Sequence, residues 1–229
     1  MVACSNRARS IHGDRMKLTY TLWLIIINFV VFFAQLLLLN VDLITDSHGE
    51  IVTDILGLNI KTILTRGYFW QFFTYMFVHA DFIHIFYNMF GLLIFGPKIE
   101  FTMGKNKFLK YYLICGIFSS IFYTFITTLA TGISDIPMVG ASGAIFGVLT
   151  AYGLMYPRDT VYVQLFLPMP AIVFVIFYAI MQLVLGIVSL GMVGGGIAYF
   201  GHLGGMIAGF ILIKYFGYGK RRIRYFWEF

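Results

Sequence analysis

Long stretches without a charged residue constrain this chain more than any other feature of its sequence. They cover residues 18–41, 83–97, 111–134, 136–156 and 160–213. A helix needs about 20 apolar residues to cross a bilayer, so three of the stretches predict one transmembrane span each. The last stretch is 54 residues long and predicts two spans, divided by a glycine cluster at 191–196. The shortest carries His84 and Asn88 and is the least typical of a span.

Composition supports the same interpretation. The chain is 60% hydrophobic and 11% charged, which leaves too little charge to cover the surface of a soluble domain of this size. We therefore predict an all-α fold, a bundle of six transmembrane helices that forms one membrane domain over residues 1–229. A long outer loop joins the first two helices, and its aromatic part, 68–78, is expected to lie partly in the outer leaflet.

The positions of the basic residues predict the orientation of the bundle. With six spans, 14 of the 16 lysines and arginines share one face, and Lys61 and Arg66 fall on the other. The positive-inside rule assigns the basic face to the cytoplasm. Both termini are then cytoplasmic, with an N-terminal segment at 1–17 and a basic tail at 217–229. The net charge of +6 is thus explained by basic residues on the cytoplasmic face, and no nucleic-acid partner is predicted.

Three of the predicted helices begin at the outer face and carry polar residues near that end. The six predicted helices cover residues 18–39, 82–95, 108–130, 142–155, 168–190 and 199–216, and Gly96-Pro97 is expected to end the second. His84 and Asn88 lie on the second, Ser142 on the fourth and His202 on the sixth. Polar groups at membrane depth are costly and need a partner or a task. Their common level predicts a functional site.

Small residues predict which helices meet. The fourth helix has Gly143, Gly147 and Ala151 at four-residue spacing, and the sixth has a stripe with the same spacing at Gly201, Gly205 and Gly209. Small faces allow close helix packing in lipid. Such stripes often serve packing alone. If these two pack together, however, the serine and the histidine at their outer ends become neighbours.

Ser142 and His202 are the candidate catalytic pair. A serine at a helix start is commonly only an N-cap, but the unpaired N–H groups there also suit an oxyanion. An intramembrane histidine can bind metal or relay protons, and it can also act as the base that activates a serine. With no carboxylate nearby on the sixth helix, we predict a dyad rather than a triad.

His84 and Asn88 are candidate oxyanion donors. They lie one helical turn apart on one face, and both side chains can donate hydrogen bonds. His79 and His84 are poorly spaced as helical metal ligands, and no Cys or Glu completes a zinc set. We therefore expect neither a metal nor another cofactor.

With these residues in hand, the chain resembles the rhomboid intramembrane serine proteases over residues 18–216. Their Gly-x-Ser-Gly motif appears at Gly140 to Gly143, and their histidine followed by a glycine stripe appears at His202. Their His-x4-His-x3-Asn motif appears at His79, His84 and Asn88. The resemblance implies cleavage of transmembrane proteins in the bilayer, and we expect a bacterial inner membrane as the location.

The resemblance also implies roles for individual residues. Ser142 would be the nucleophile and His202 the base, and His84, Asn88 and the Ser142 N–H would form an oxyanion hole flanked by Gly140 and Gly143. His79 would organise the outer loop, Trp70 would be its family tryptophan, and Glu100 would tie the inner end of the second helix.

Two positions depart from the family pattern. Gln71 follows Trp70 where an arginine is usual, and Phe146 stands where a tyrosine often faces the histidine. These changes concern rate and loop rigidity more than reaction class. Two other functions stay open at this stage: a membrane protein that binds clients without cutting them, and a small transporter that uses His84 and His202.

Overall fold

The computed structural model describes residues 19–40, 50–133, 136–163, 166–190 and 198–218. The predicted cytoplasmic segment 1–17, nearly all of the basic tail and the glycine cluster at 191–196 lie outside these ranges. The helices of the described part are α1 (Tyr20–Asn40), α2 (Glu50–Leu56), α3 (Ile60–Arg66), α4 (Gln71–Thr74), α5 (Phe82–Met103), α6 (Lys105–Thr131), α7 (Ser142–Met155), α8 (Ala171–Ser189) and α9 (Ala198–Tyr215).

Four of the described helices are long and apolar enough to cross a membrane: α1, α5, α6 and α8. α7 is also apolar but has only 14 residues. The predicted helical membrane fold is therefore confirmed at this level, while the count of six spans and the cytoplasmic termini stay predictions. Large side chains on the outside of the long helices, such as Val30 on α1 and Ile180 on α8, are more than half exposed, as expected for surfaces that face lipid.

The predicted end of the second helix at Gly96-Pro97 is wrong. α5 continues through Pro97 to Met103. Proline removes one backbone donor, a loss that helices in bundles tolerate when neighbours satisfy the freed groups. The extra turns bring Glu100, only 3% exposed, to the start of α1. Its carboxylate accepts hydrogen bonds from the N–H groups of Tyr20 and Thr21, both at 2.8 Å, and from the Thr21 hydroxyl at 2.7 Å.

The predicted fifth helix also begins too early. Residues 168–170 belong to a strand, because a two-stranded antiparallel hairpin, β1 (Thr160–Val163) and β2 (Leu167–Pro170), precedes α8. The β-branched and aromatic residues of β1 favour a strand, and the prolines of β2 disfavour a helix interior. Asp159, at the start of the hairpin, forms an ion pair with Lys98 of α5.

α7 lies at the centre of the bundle between α6 and α9. Ala144, Val148 and Ala151 on α7 are fully buried. A Cβ added to Gly205 of α9 would lie 1.8 Å from the Gly143 carbonyl oxygen, and one added to Gly209 would lie 2.9 Å from that of Gly147. The backbones of α7 and α9 are therefore in direct contact. At position 205, only glycine is small enough to allow this contact.

Segment 50–81, between α1 and α5, is built around Gln71, which is fully buried. Its amide nitrogen donates to the Asp54 carbonyl at 2.6 Å. Its amide oxygen accepts from the Asn59 N–H at 3.1 Å and the Thr62 hydroxyl at 2.9 Å. The residue that departs from the family pattern thus ties α2, α3 and α4 together without a charge.

We expect Gln71→Leu to destabilise this segment, because it removes the groups that hold three short helices together. The cost should be about 1–3 kcal/mol in the free energy of unfolding, seen as a lower midpoint of thermal unfolding in detergent. Thr65→Ala, at an exposed position of the same segment, is the control and should unfold like the parent. An unchanged midpoint for Gln71→Leu would contradict this account.

Candidate active site

The side chains of Ser142 and His202 meet where α7 begins. The Nε2 atom of His202 lies 2.7 Å from the Oγ atom of Ser142. Ser142 is the first residue of α7, so the N–H groups of the first turn point toward the same space. Gly140 precedes it with φ of 112°, a conformation that glycine adopts without strain. The structure thus brings together the two residues that the sequence singles out.

The imidazole ring of His202 is also held on its other sides. The ring of Phe146 stacks on it, with centroids 4.4 Å apart and planes inclined by 20°. Its Nδ1 atom lies 2.9 Å from the Oε1 atom of Gln182 on α8. Sequence reasoning missed Gln182: it is one polar residue in an apolar stretch, with no spacing that relates it to His202.

His84 and Asn88 of α5 lie beside Gly140. A Cβ added to Gly140 would be 2.6 Å from His84 Nε2 and 3.6 Å from Asn88 Nδ2. Both donors therefore face the turn that leads into Ser142, and glycine at 140 leaves room for them. The Asn88 amide donates to the His84 carbonyl at 3.1 Å, so it is directed along its own helix.

His79 lies beside His84 and not at the contact between Ser142 and His202. The two rings are 5.1 Å apart in an edge-to-face arrangement. Burial, aided by the neighbouring His84, lowers the pKa of His79 to about 3, so its ring is neutral near pH 7. Gln35 of α1 is within hydrogen-bonding distance of its backbone, with Nε2 3.4 Å from the His79 oxygen and Oε1 3.3 Å from the nitrogen.

Buried hydrogen bonds fix the start of α7 against its neighbours. Before the helix, the Gly140 N–H donates to the Tyr75 carbonyl at 2.9 Å, and Met138 pairs with Leu58 of segment 50–81 through two backbone bonds of 2.9 Å. On α6, the Ser119 hydroxyl lies beside Gly143 of α7 and donates to the Gly201 carbonyl of α9 at 2.7 Å. The position of Ser142 thus depends on α6, α9 and segment 50–81 together.

Of the other sequence-predicted residues, Trp70 and Glu100 lie away from the pair, whereas Gly143 and Gly201 line the same pocket as Ser142 and His202. Trp70 stacks on Tyr68, with centroids 4.5 Å apart, and its indole N–H donates to the Ile55 carbonyl at 2.8 Å. Glu100 is at the opposite end of α5. Gly143 and Gly201 both face Ser119, whereas Gly147, Gly205 and Gly209 lie in the contact between α7 and α9. A pocket beside Ser142 and His202 is lined further by Tyr75, Met138, Ala198 and other residues of these elements.

A family model for the Rhomboid domain matches residues 66–219, more than half of the chain. The chain belongs to the rhomboid family. The match includes α4 to α9, and with them His79, His84, Asn88, Ser142, Gln182 and His202. It begins within segment 50–81 and so leaves α1 outside.

Several curated rhomboid proteins are similar to this chain. Rhomboid protease GluP of Bacillus subtilis is 29% identical over 84% of the chain and 35% of its own length. Rhomboid protease AarA of Providencia stuartii is 29% identical over 57% of the chain and 48% of its length. Rhomboid protein 1, mitochondrial, of Saccharomyces cerevisiae is 31% identical over 58% of the chain and 38% of its length.

The chain therefore spans less than half the length of these relatives. Family membership and the apolar helices together identify an integral membrane protein with several spans. The bacterial inner membrane stays a prediction, because the relatives come from mitochondria as well as from bacteria.

Proposed function

We propose that this chain is an intramembrane serine endopeptidase that hydrolyses transmembrane proteins near the outer membrane interface. The distance of 2.7 Å between His202 Nε2 and Ser142 Oγ carries this proposal. It is the separation at which a neutral imidazole accepts a hydroxyl proton. The relatives named rhomboid proteases support the same activity.

In the proposed reaction, Ser142 Oγ attacks the scissile carbonyl carbon as its proton passes to His202 Nε2. The resulting tetrahedral intermediate collapses when the imidazolium gives that proton to the leaving amine. Cleavage of the C–N bond leaves an acyl ester on Ser142. A water molecule then attacks the ester carbon as its proton passes to His202. The ester C–O bond breaks, His202 returns the proton to Ser142 Oγ, and the new carboxyl terminus is released.

The oxyanion of the intermediate needs donors on the side of Gly140. The backbone N–H of Ser142 stands at the start of α7, where the helix has unpaired donors and a positive end. His84 and Asn88 border the same turn. Asn88 would exchange its bond to the His84 carbonyl for one to the oxyanion, so it would contribute mainly in the transition state.

We further propose six spans with both termini in the cytoplasm, counting α1, α5, α6, α7, α8 and α9. Substrate would enter from lipid between α5 and α8. These helices are in contact at the end away from Ser142, where the rings of Phe95 and Phe174 are 6.2 Å apart. Nearer to Ser142, Phe86 of α5 and Ile180 of α8 are exposed, as expected for helix faces that border lipid.

The deciding experiment is cleavage by purified protein. We expect that incubation in liposomes with a panel of single-span substrates yields fragments, and that mass spectrometry places the cut near the outer end of the substrate helix. Ser142→Ala protein is the matched control for contaminating proteases. Fragments that persist with this control, or a panel that stays intact, would contradict the proposal.

The main alternative is a rhomboid-like protein that binds membrane proteins without cutting them. Labelling by a serine-directed fluorophosphonate separates the two, since only an activated serine reacts. We expect labelling of the parent and none of Ser142→Ala. A transporter that uses His84 and His202 predicts instead flux into liposomes that tolerates the loss of Ser142.

We expect Asn88→Ala to weaken cleavage without abolishing it. Loss of one oxyanion donor costs roughly 10²–10³ in kcat, while Ser142 and His202 remain in contact. The measurement is kcat and KM on one cleaved substrate, and KM should change little. Asn106→Ala, an exposed amide on α6, is the control. A kcat equal to that of the parent would remove Asn88 from the oxyanion hole.

A further inference from the structure

Gln182 is an unusual residue for its position. It lies in the middle of α8, a helix without charged residues (AIVFVIFYAIMQLVLGIVS), and its side chain is only 4% exposed. A primary amide in such surroundings costs free energy unless it is hydrogen bonded. Its Oε1 atom lies 2.9 Å from Nδ1 of His202, a residue 20 positions later on a different helix. The amide of Gln182 is therefore directed at the candidate base.

The two ring nitrogens of His202 have different requirements. To take the proton of Ser142, Nε2 must present a lone pair, and in a neutral ring this places the hydrogen on Nδ1. A hydrogen on Nδ1 needs an acceptor, which Gln182 Oε1 supplies. Phe146 packs on the face of the ring, and Ser142 contacts Nε2. The hydrogen bond between Nδ1 and Gln182 lies in the plane of the ring, so it fixes how the ring is rotated.

We propose that Gln182 is a positioning residue that completes a Ser142–His202–Gln182 triad. It fixes the Nδ1–H tautomer of His202 and stabilises the imidazolium that forms as Ser142 attacks. A neutral amide thereby takes the position that a carboxylate holds in soluble serine proteases. In lipid this avoids the cost of a buried charge before substrate arrives. The inference rests on the proposed function and adds a residue to it.

The surroundings of His202 leave this role to Gln182. The titratable side chains around the site include His84 on α5, whose ring borders Gly140, and Tyr199 on α9, whose ring is 6.4 Å from that of His202 and edge-on. Tyr178 on α8 contacts the ring of Phe146, with centroids 6.1 Å apart. Phe146 itself has no hydroxyl to offer.

The test compares two substitutions of nearly equal volume. Gln182→Met removes the acceptor, and we expect kcat to fall by about 10- to 100-fold with KM unchanged, the range for a hydrogen bond to a group that becomes charged. Gln182→Glu keeps an oxygen at the same place and should restore most of the rate. It should also move the acid limb of the kcat/KM profile to higher pH, because a carboxylate favours the imidazolium. Leu183→Ala, at the exposed neighbouring position, is the control.

A merely structural role would lower the midpoint of thermal unfolding for Gln182→Met without a change in kcat per folded molecule. That result, or parental kcat in this variant, would overturn the proposal.

If Gln182→Met does not fold, ¹⁵N NMR of histidine-labelled parent protein decides, with the His202 signal assigned by its loss in His202→Asn. We expect the proton on Nδ1; a proton on Nε2 would overturn the triad. A parent that neither cleaves nor reacts with fluorophosphonate would defeat the proposed function instead, and the NMR result would still stand.

Discussion

Ser142→Ala and His202→Ala should each lower the turnover of a cleaved transmembrane substrate by about 10⁶-fold. The reason is that the proposed nucleophile and base act as one unit: His202 has no hydroxyl to deprotonate without Ser142, and Ser142 is a poor nucleophile without His202. For the same reason, the double variant should be no slower than either single one. Initial rates with one purified substrate, measured over a wide range of enzyme concentration, give all three values.

Folding must be controlled in this comparison. Ser189→Ala changes another serine of the bundle, whose hydroxyl donates to the Gly186 carbonyl at 2.7 Å and does not line the pocket. It should keep the parental rate, and all variants should share one midpoint of thermal unfolding. Turnover near the parental value in either single variant would remove that residue from the chemistry.

Among the glycines of the described residues, Gly205 should be the one at which a change to alanine has the largest effect. The new Cβ would lie 1.8 Å from the Gly143 carbonyl oxygen and 2.7 Å from its carbon, and both are helix backbone that cannot rotate away. We expect a loss of about 3 kcal/mol in the free energy of unfolding. Activity should fall by about 100-fold or more, because a displacement of 1 Å at a reacting pair has that cost.

Gly91→Ala is the matched control for this prediction. It adds the same methyl group to α5, where the nearest atom beyond its own helix would be 3.5 Å away on Ile145. We expect parental unfolding and turnover. A Gly205→Ala protein as stable and as active as Gly91→Ala would mean that α7 and α9 lie farther apart than the structure has them.

Much of the arrangement follows from local sequence. Ser142 and His202 each stand at the end of a glycine stripe with four-residue spacing, so stacking the stripes brings the two side chains to one level. The bounds of α7, Ser142 to Met155, follow from a helix start and the turn at Pro157. Such features depend on residues within one or two helical turns.

The missed features depend on tertiary contacts. Gln182 reaches His202 only because α8 is rotated to direct that one position inward, and nothing in an almost uniformly apolar helix specifies this rotation. α5 continues past Pro97 because Glu100 has hydrogen-bond partners at the start of α1. One of them, Thr21, is 79 residues away from Glu100 in the sequence. Gln71 of α4 likewise has its partners on α2 and at the start of α3. Periodicity carries no information about such pairs.

The shortness of α7 has a consequence for substrate choice. Fourteen residues at a rise of about 1.5 Å span about 21 Å, whereas the hydrocarbon layer is about 30 Å thick. If the last residue of α7 is level with the cytoplasmic boundary, Ser142, the proposed nucleophile, lies about 9 Å below the opposite boundary. The scissile peptide bond of a substrate helix must then lie about six residues inside its apolar segment. At that depth, every backbone carbonyl of an intact helix is hydrogen bonded within the helix. Ease of unwinding at that depth, more than the side chains beside the cut, would decide which proteins are cleaved.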